Sequence, residues 1–249
     1  MITIEDLKKI RPHLTEPLNM YEKVISFENN IRYLKDSINI NEGFYSIDLI
    51  DALIYEFSRT FGISLEILTP LKEAMAFRQI DFLRLPLNET PSFALPYLEE
   101  ETELILFLLS RPFFIKLRES TTPTDSLTDE GRCPVCRSIP CLSSIQENEE
   151  RIYYCSFCGY HGKWKRIGCP NCLNKRGEKI DIITIEEEKG LRLELCQICK
   201  NYNKTYQRAF FEEYQPGLVD IISLPLDIIA QSKGFTRSSP NPLGMRRIL

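Results

Sequence analysis

Cys133-Pro134-Val135-Cys136, Cys155-Ser156-Phe157-Cys158, Cys169-Pro170-Asn171-Cys172 and Cys196-Gln197-Ile198-Cys199 place eight of the chain's nine cysteines in four pairs of one spacing, with Cys141 alone. Core packing has no need of such regularity. Two intervening residues let the backbone turn so that both sulfurs face one point. Two such knuckles supply the four thiolates of a tetrahedral site with metal–sulfur bonds of about 2.3 Å. Other chemistries use cysteine pairs differently. A secreted disulfide framework normally has an even count and an export signal. A thioredoxin-like dithiol shows one pair at a helix start. An iron–sulfur protein has ferredoxin spacing, which gaps of 18, 10 and 23 residues do not follow. Mononuclear sites of four thiolates fit best, with zinc and iron both compatible.

Loop closure favours sequential pairing, first with second and third with fourth, over a cross-brace by only about 1 kcal/mol. Strand patterns say more. Ile180, Ile182, Thr184 and Glu186 alternate with Asp181, Ile183 and Ile185. After a turn at Glu187-Glu188-Lys189-Gly190, Leu191, Leu193 and Leu195 run into Cys196. Arg151-Ile152-Tyr153-Tyr154 enters Cys155 in the same way, and Gly159 follows Cys158. Two consecutive ribbons are expected, each a knuckle, a hairpin and a second knuckle. Arg132, Arg137, Lys163, Lys165 and Arg166 stand near the knuckles and are expected to offset the negative charge of four thiolates on one cation.

The rest of the 249-residue chain is of another kind. Residues 1–130 carry 13 Lys+Arg against 22 Asp+Glu, a net −9, whereas residues 131–249 are at +5 and hold every cysteine. Hydrophobic residues make up 43%, enough for a packed core. Leu18, Tyr21, Val24, Ile25, Ile31, Leu34 and Ile38 predict one helix starting near Glu16-Pro17. Ser46 to Gly62 predicts a second, a third follows Pro70 through Met75 and Ile80, and a fourth runs from Leu98 to about Leu117, with Pro112 as a kink. Thr121 to Glu130 reads as a linker. Val219 to Ala230 is a last short helix, broken or started near Pro225, after which Gly234 and Ser238-Ser239-Pro240-Asn241-Pro242 end regular structure.

Several function classes drop out. His13 and His161 are the only histidines, which excludes the HExxH zinc-hydrolase pattern, and GxxxxGK[ST], GxGxxG and GxSxG are absent. A closed shell of four thiolates has no open position for a substrate. No apolar run approaches the roughly 20 residues of a membrane span. Met1 to Pro12 lack the apolar segment of a secretory signal, so no such signal is expected there. Trp164 between Lys163 and Lys165, near Tyr153, Tyr154 and Tyr160, offers the alternative of a nucleic-acid-binding zinc-ribbon protein, although a charge of +5 is mild for phosphate binding.

The four pairs, with Trp164-Lys165-Arg166-Ile167-Gly168 leading into the third, join other segments in resembling the formate dehydrogenase accessory proteins, the FdhE family. These segments are Glu99 to Phe113, Leu218 to Ala230, Lys233-Gly234-Phe235, Arg237 and Asn241-Pro242. The resemblance runs from about residue 98 to 244; Arg137 departs from a glycine the family often has after the first pair. It implies a cytoplasmic assembly factor rather than an enzyme, with no catalytic residues, that binds the catalytic subunit of formate dehydrogenase. It also implies rubredoxin-like modules associated with iron. By that likeness Cys133, Cys136, Cys155 and Cys158 hold one ion, and Cys169, Cys172, Cys196 and Cys199 the other. The expected fold is α+β. A helical domain (1–120) and linker (121–130) precede a first four-cysteine ribbon (131–168) and a second such ribbon with a helical tail (169–249).

Overall fold

The computed structural model describes residues 3–87, 95–186 and 188–248. Helices and a sheet pack against each other, so the α+β expectation holds. Helix α1 (Ile4–Ile10) opens the chain; Thr3 and Asp6 cap it reciprocally, a local signal that the charged first segment masks. Helix α2 spans Thr15–Asn30 and ends earlier than the apolar spacing predicts. A 3-10 turn over Arg32–Ser37 takes over, and its three-residue repeat keeps Ile31 and Leu34 on the buried side. Helix α3 (Ile47–Phe61) follows Ser46 and stops at Gly62, whose φ of 72° only glycine adopts freely.

Helix α4 (Leu65–Ala76) corrects the third expectation. It begins before Pro70, with the Ser64 hydroxyl accepting from Ile67 N–H, and carries Pro70 in its interior. The carbonyl that Pro70 leaves without its helical donor belongs to Glu66, an exposed residue, so the lost bond falls on the solvent side of the helix. Arg78, at φ 56°, ends the turn after α4, before Ile80 is reached.

Helix α5 (Glu99–Glu119) matches the fourth expectation and is buried from Ile105 to Ser110 and again from Pro112 to Phe114. The Tyr45 hydroxyl inserts into its ladder beside Pro112. It donates to Leu109 O (2.8 Å) and accepts from Phe113 N–H (3.1 Å), so a buried side chain bridges the two groups.

The remaining chain builds one six-stranded sheet: β1 (Leu142–Ile145), β2 (Arg151–Tyr154), β3 (His161–Trp164), β4 (Ile180–Thr184), β5 (Leu191–Cys196) and β6 (Tyr202–Gln207). Its order is β3-β2-β1-β6-β5-β4. Each ribbon is a three-stranded antiparallel unit, and the parallel pairing of β1 with β6 fuses the two. The turn predicted at 187–190 includes residue 187, which lies outside the described residues. Residues 124–127 are stitched to the sheet edge: Lys163 N–H donates to Asp125 O (2.8 Å), Leu127 N–H to Lys163 O (2.9 Å) and the Tyr160 hydroxyl to Thr124 O (2.6 Å).

The single terminal helix resolves into two, α6 (Pro216–Ile222) and α7 (Leu224–Ser232), divided at Ser223 with Pro225 in the first turn of α7. The segment beyond Gly234 is irregular but not loose. Arg237, Ser239, Asn241 and Leu243 are buried, Thr236 pairs with Asn201, and the Asn241 carboxamide accepts from Leu243 and Met245 N–H. Buried side chains of α1–α5, the sheet, α6 and α7 form one contiguous apolar core.

Candidate metal centres

The four knuckles share one backbone design. In each, the N–H of the first cysteine donates to the carbonyl five residues on: Cys133 to Ser138, Cys155 to Tyr160, Cys169 to Asn174 and Cys196 to Asn201, at 2.8–2.9 Å. The residue after each second cysteine is left-handed: Arg137 (φ 66°), Gly159 (71°), Leu173 (60°) and Lys200 (57°). This is why glycine is expected at Arg137: a side chain there costs about 1 kcal/mol of backbone strain. The ion pair of Arg137 with Glu130 (2.9 Å) is exposed and offsets little of it. Arg137→Gly is therefore expected to stabilise the protein by about 1 kcal/mol, read as a higher thermal midpoint at unchanged metal content.

These turns bring the sulfurs together as two groups of four, Cys133, Cys136, Cys155 and Cys158, then Cys169, Cys172, Cys196 and Cys199; within each group all sulfurs lie within 4.8 Å of one another. The closest approaches are 3.5 Å (Cys133–Cys158) and 3.3 Å (Cys136–Cys155) in the first, and 3.6 Å (Cys169–Cys199, Cys172–Cys196) in the second. A tetrahedron built on bonds of about 2.3 Å has edges of about 3.8 Å, whereas a disulfide is about 2.05 Å long. Each group could thus hold one metal ion, and none of the nine thiols is joined to another.

The electrostatics set the condition for four thiolates. Burial and the surrounding sulfurs hold Cys136 well above the ordinary thiol range. A hydrogen bond to Cys199, with burial, does the same to Cys169. Burial pushes Cys172 up to about 11, while Cys199, accepting from Cys169, drops to about 4. Four sulfurs this close cannot all be anionic unless a positive ion lies among them. Zinc or iron fits four thiolates, and iron would add one-electron chemistry.

The two centres differ in surroundings. All four first-centre cysteines are buried, whereas Cys172 and Cys199 of the second reach the surface. Phe157, inside the second knuckle, lies between Phe107 (4.9 Å) and Phe114 (5.5 Å) of α5. Arg111 donates to Ser156 O, and Arg118 to Gly159 O at 2.9 Å. These two arginines bear on the first centre, not the basic residues expected from sequence. Arg137, Lys163 and Arg166 pair with Glu130, Glu150 and Glu149; Arg132 donates to Arg137 O; Lys165 lies over Trp164. In the sequence Arg111 and Phe114 show only as helix residues, and 45 positions separate Arg111 from the carbonyl it reaches.

Trp164 packs edge-on against Tyr153 (6.0 Å), so it and its flanking charges are already engaged within the fold. His161 is exposed beside the Tyr154 ring, His13 lies in a 3-10 turn, and neither joins a cysteine group. Cys141 is buried against the Ser239 hydroxyl at 3.2 Å. Among the described residues no helix is long and apolar enough to cross a membrane.

Residues 167–243 match the family model for the C-terminal domain of FdhE. FdhE homologues from Haemophilus influenzae (strain PittGG) and Aquifex aeolicus (strain VF5) are 34% and 32% identical to this chain over 114 and 116 residues. Those stretches are 44% and 45% of this chain and 37% and 41% of the relatives, so the chain matches about two fifths of their length. The crystal structure of the FdhE protein from Pseudomonas aeruginosa superposes with a TM-score of 0.59 at 21% identity. It covers 86% of this chain and 79% of that one, and so extends the likeness of fold to the helical layer. The carboxy-terminal part of the chain is thus similar in sequence to FdhE proteins, and the fold as a whole is similar to that of the Pseudomonas aeruginosa FdhE protein.

Proposed function

We propose that this protein is a cytoplasmic accessory factor for formate dehydrogenase, chaperone-like in action, which binds the enzyme's catalytic subunit during maturation and catalyses no reaction of its own. Cys133, Cys136, Cys155 and Cys158 hold one mononuclear ion in this reading, and Cys169, Cys172, Cys196 and Cys199 a second, iron or zinc. The observation that carries it is the FdhE-type domain at residues 167–243, which contains the whole second cysteine group. The chemistry of the sites supports it: four protein ligands close each shell, which suits a scaffold or an electron carrier better than a hydrolase. The test is co-purification from cells making the enzyme. The catalytic subunit is expected to come down with the tagged protein, and loss of the protein is expected to lower formate dehydrogenase activity. No association in such cells overturns the reading.

A further inference from the structure

The chain contains one device twice, its apolar residue covered by a helix in one copy and exposed in the other. Phe157 and Ile198 hold the same place in their knuckles, one residue before the last cysteine, and both knuckles close with the same left-handed residue and hydrogen bond: Gly159 N–H to Cys155 O and Lys200 N–H to Cys196 O, each 3.0 Å. Phe157 is 2% exposed beneath α5, and Ile198 is 55% exposed. In the first ribbon α5 supplies Phe107 and Phe114, seven residues apart on one helix face, with Arg111 and Arg118 donating to the knuckle's carbonyls. Among the described residues no helix covers Ile198 in this way; Lys200 O, the counterpart of Gly159 O, accepts instead from Thr236 N–H (2.8 Å), which leaves the apolar side of the knuckle open.

The uncovered copy is apolar and basic. Ile167, two residues before Cys169, is 60% exposed, and Leu173, next to Cys172, is 40% exposed. With Ile198 they flank a centre whose Cys172 and Cys199 also reach the surface. Lone exposed apolar residues are ordinary, but three around one centre are not scattered. Between the third knuckle and β4 lie Lys175, Arg176 and Lys179, with Glu178 as the one acidic neighbour in that stretch. Elsewhere on this half, Lys163, Arg166 and Arg137 have carboxylate partners.

We propose that the second ribbon is a protein-docking surface made of Ile167, Leu173 and Ile198 around the second centre. Its occupant is an amphipathic helix of the partner, with an apolar stripe flanked by acidic residues, seated on the fourth knuckle as α5 sits on the second. The apolar residues supply burial and the basic stretch selects the acidic flank. The identity of the partner as the formate dehydrogenase catalytic subunit rests on the function proposed above.

The experiment measures binding of the purified catalytic subunit to four proteins: wild type, Ile198→Glu, the triple variant Ile167→Glu/Lys175→Glu/Arg176→Glu, and Phe77→Glu. Phe77 is 75% exposed on the helical layer and serves as the control. The triple variant leaves the knuckles untouched, so it reads the surface even where Ile198→Glu disturbs the centre; metal content and thermal midpoint are measured on each. A loss of at least about tenfold in both surface variants, with the control binding as wild type, supports the proposal. Wild-type affinity in the triple variant overturns the surface and leaves the function standing. Failure of the wild type to bind overturns both.

Discussion

Removing the second knuckle, as Cys155→Ser/Cys158→Ser, is expected to unfold the sheet, whereas Cys196→Ser/Cys199→Ser leaves a folded chain with one metal. Each closed thiolate site contributes on the order of 10 kcal/mol to folding in small metal domains, against a total stability of about 5–15 kcal/mol for a typical domain. What separates the two variants is what each centre holds in place. The first is where the helical layer meets the sheet. Phe157 fills the space between Phe107 and Phe114, and Arg111 and Arg118 fasten the knuckle's carbonyls. Without the ion the knuckle has no reason to keep its turn, and a buried aromatic with two thiols and two serine hydroxyls loses its register. The second centre borders solvent through Cys172 and Cys199, and its strands stay tied to β1 through β6. Circular dichroism with elemental analysis distinguishes the outcomes; equal loss of structure in the two variants contradicts this division of roles.

Acid is expected to release the metals, because protons compete for the same sulfurs and binding must displace them. The partly exposed second centre should exchange first, since water and chelators reach Cys172 and Cys199 directly. Metal content followed during a pH decrease, with the chelator concentration fixed, shows one ion leaving ahead of the other. Simultaneous release contradicts the asymmetry in exposure.

The features legible in the sequence are those set by neighbours in the chain. The two sulfur groups depend on pairs three residues apart and on hairpins entering the cysteines, and both patterns are local. Helix α3 shows its cap and its stop within one stretch. What the sequence hides depends on distant partners. The parallel joining of β1 and β6 makes two ribbons one sheet, yet Ser143 and its partner Thr205 are 62 residues apart and neither strand carries a mark of the other. Pro112 reads as a kink because the sequence shows only a missing N–H; the Tyr45 hydroxyl that enters the ladder one residue on, between Leu109 O and Phe113 N–H, arrives from outside the helix. Pro70 reads as a helix start for the same reason. Basic residues beside the knuckles read as counter-charges, but nearby glutamates pair with three of them, and α5 brings the arginines that hold the knuckle.

A sequence also gives no sign of which charges are inside, and here the best-buried polar cluster is made of them. Lys204 on β6 lies 2.6 Å from Asp220 and 2.5 Å from Asp227, and Arg237 from the terminal segment reaches the same two carboxylates at 2.5 and 2.8 Å. The Tyr202 hydroxyl donates to Asp227 at 2.7 Å. All four charged side chains are buried, so β6, α6, α7 and the tail are fastened through a balanced quartet. Burial alone would raise the Asp220 pKa, but Arg237 and Lys204 outweigh it and hold that carboxyl below the usual range. Lys204→Met keeps the apolar stem and strands one negative charge inside; the expected cost is about 3–5 kcal/mol, seen as a lower midpoint in denaturant. The sign with pH is fixed by the same physics. In the wild type the contribution of Asp220 is complete above the unfolded carboxylate value of about 3.9 and fades as pH falls through its lowered folded value. In Lys204→Met the stranded carboxylate is the group that gains by taking a proton, so the gap between variant and wild type narrows as the pH approaches about 4. Lys204→Met/Asp220→Asn restores balance with one carboxylate and one guanidinium, and recovers part of the loss. A double variant no more stable than the single one, or a gap that does not change with pH, shows that packing rather than charge balance sets the cost at this position.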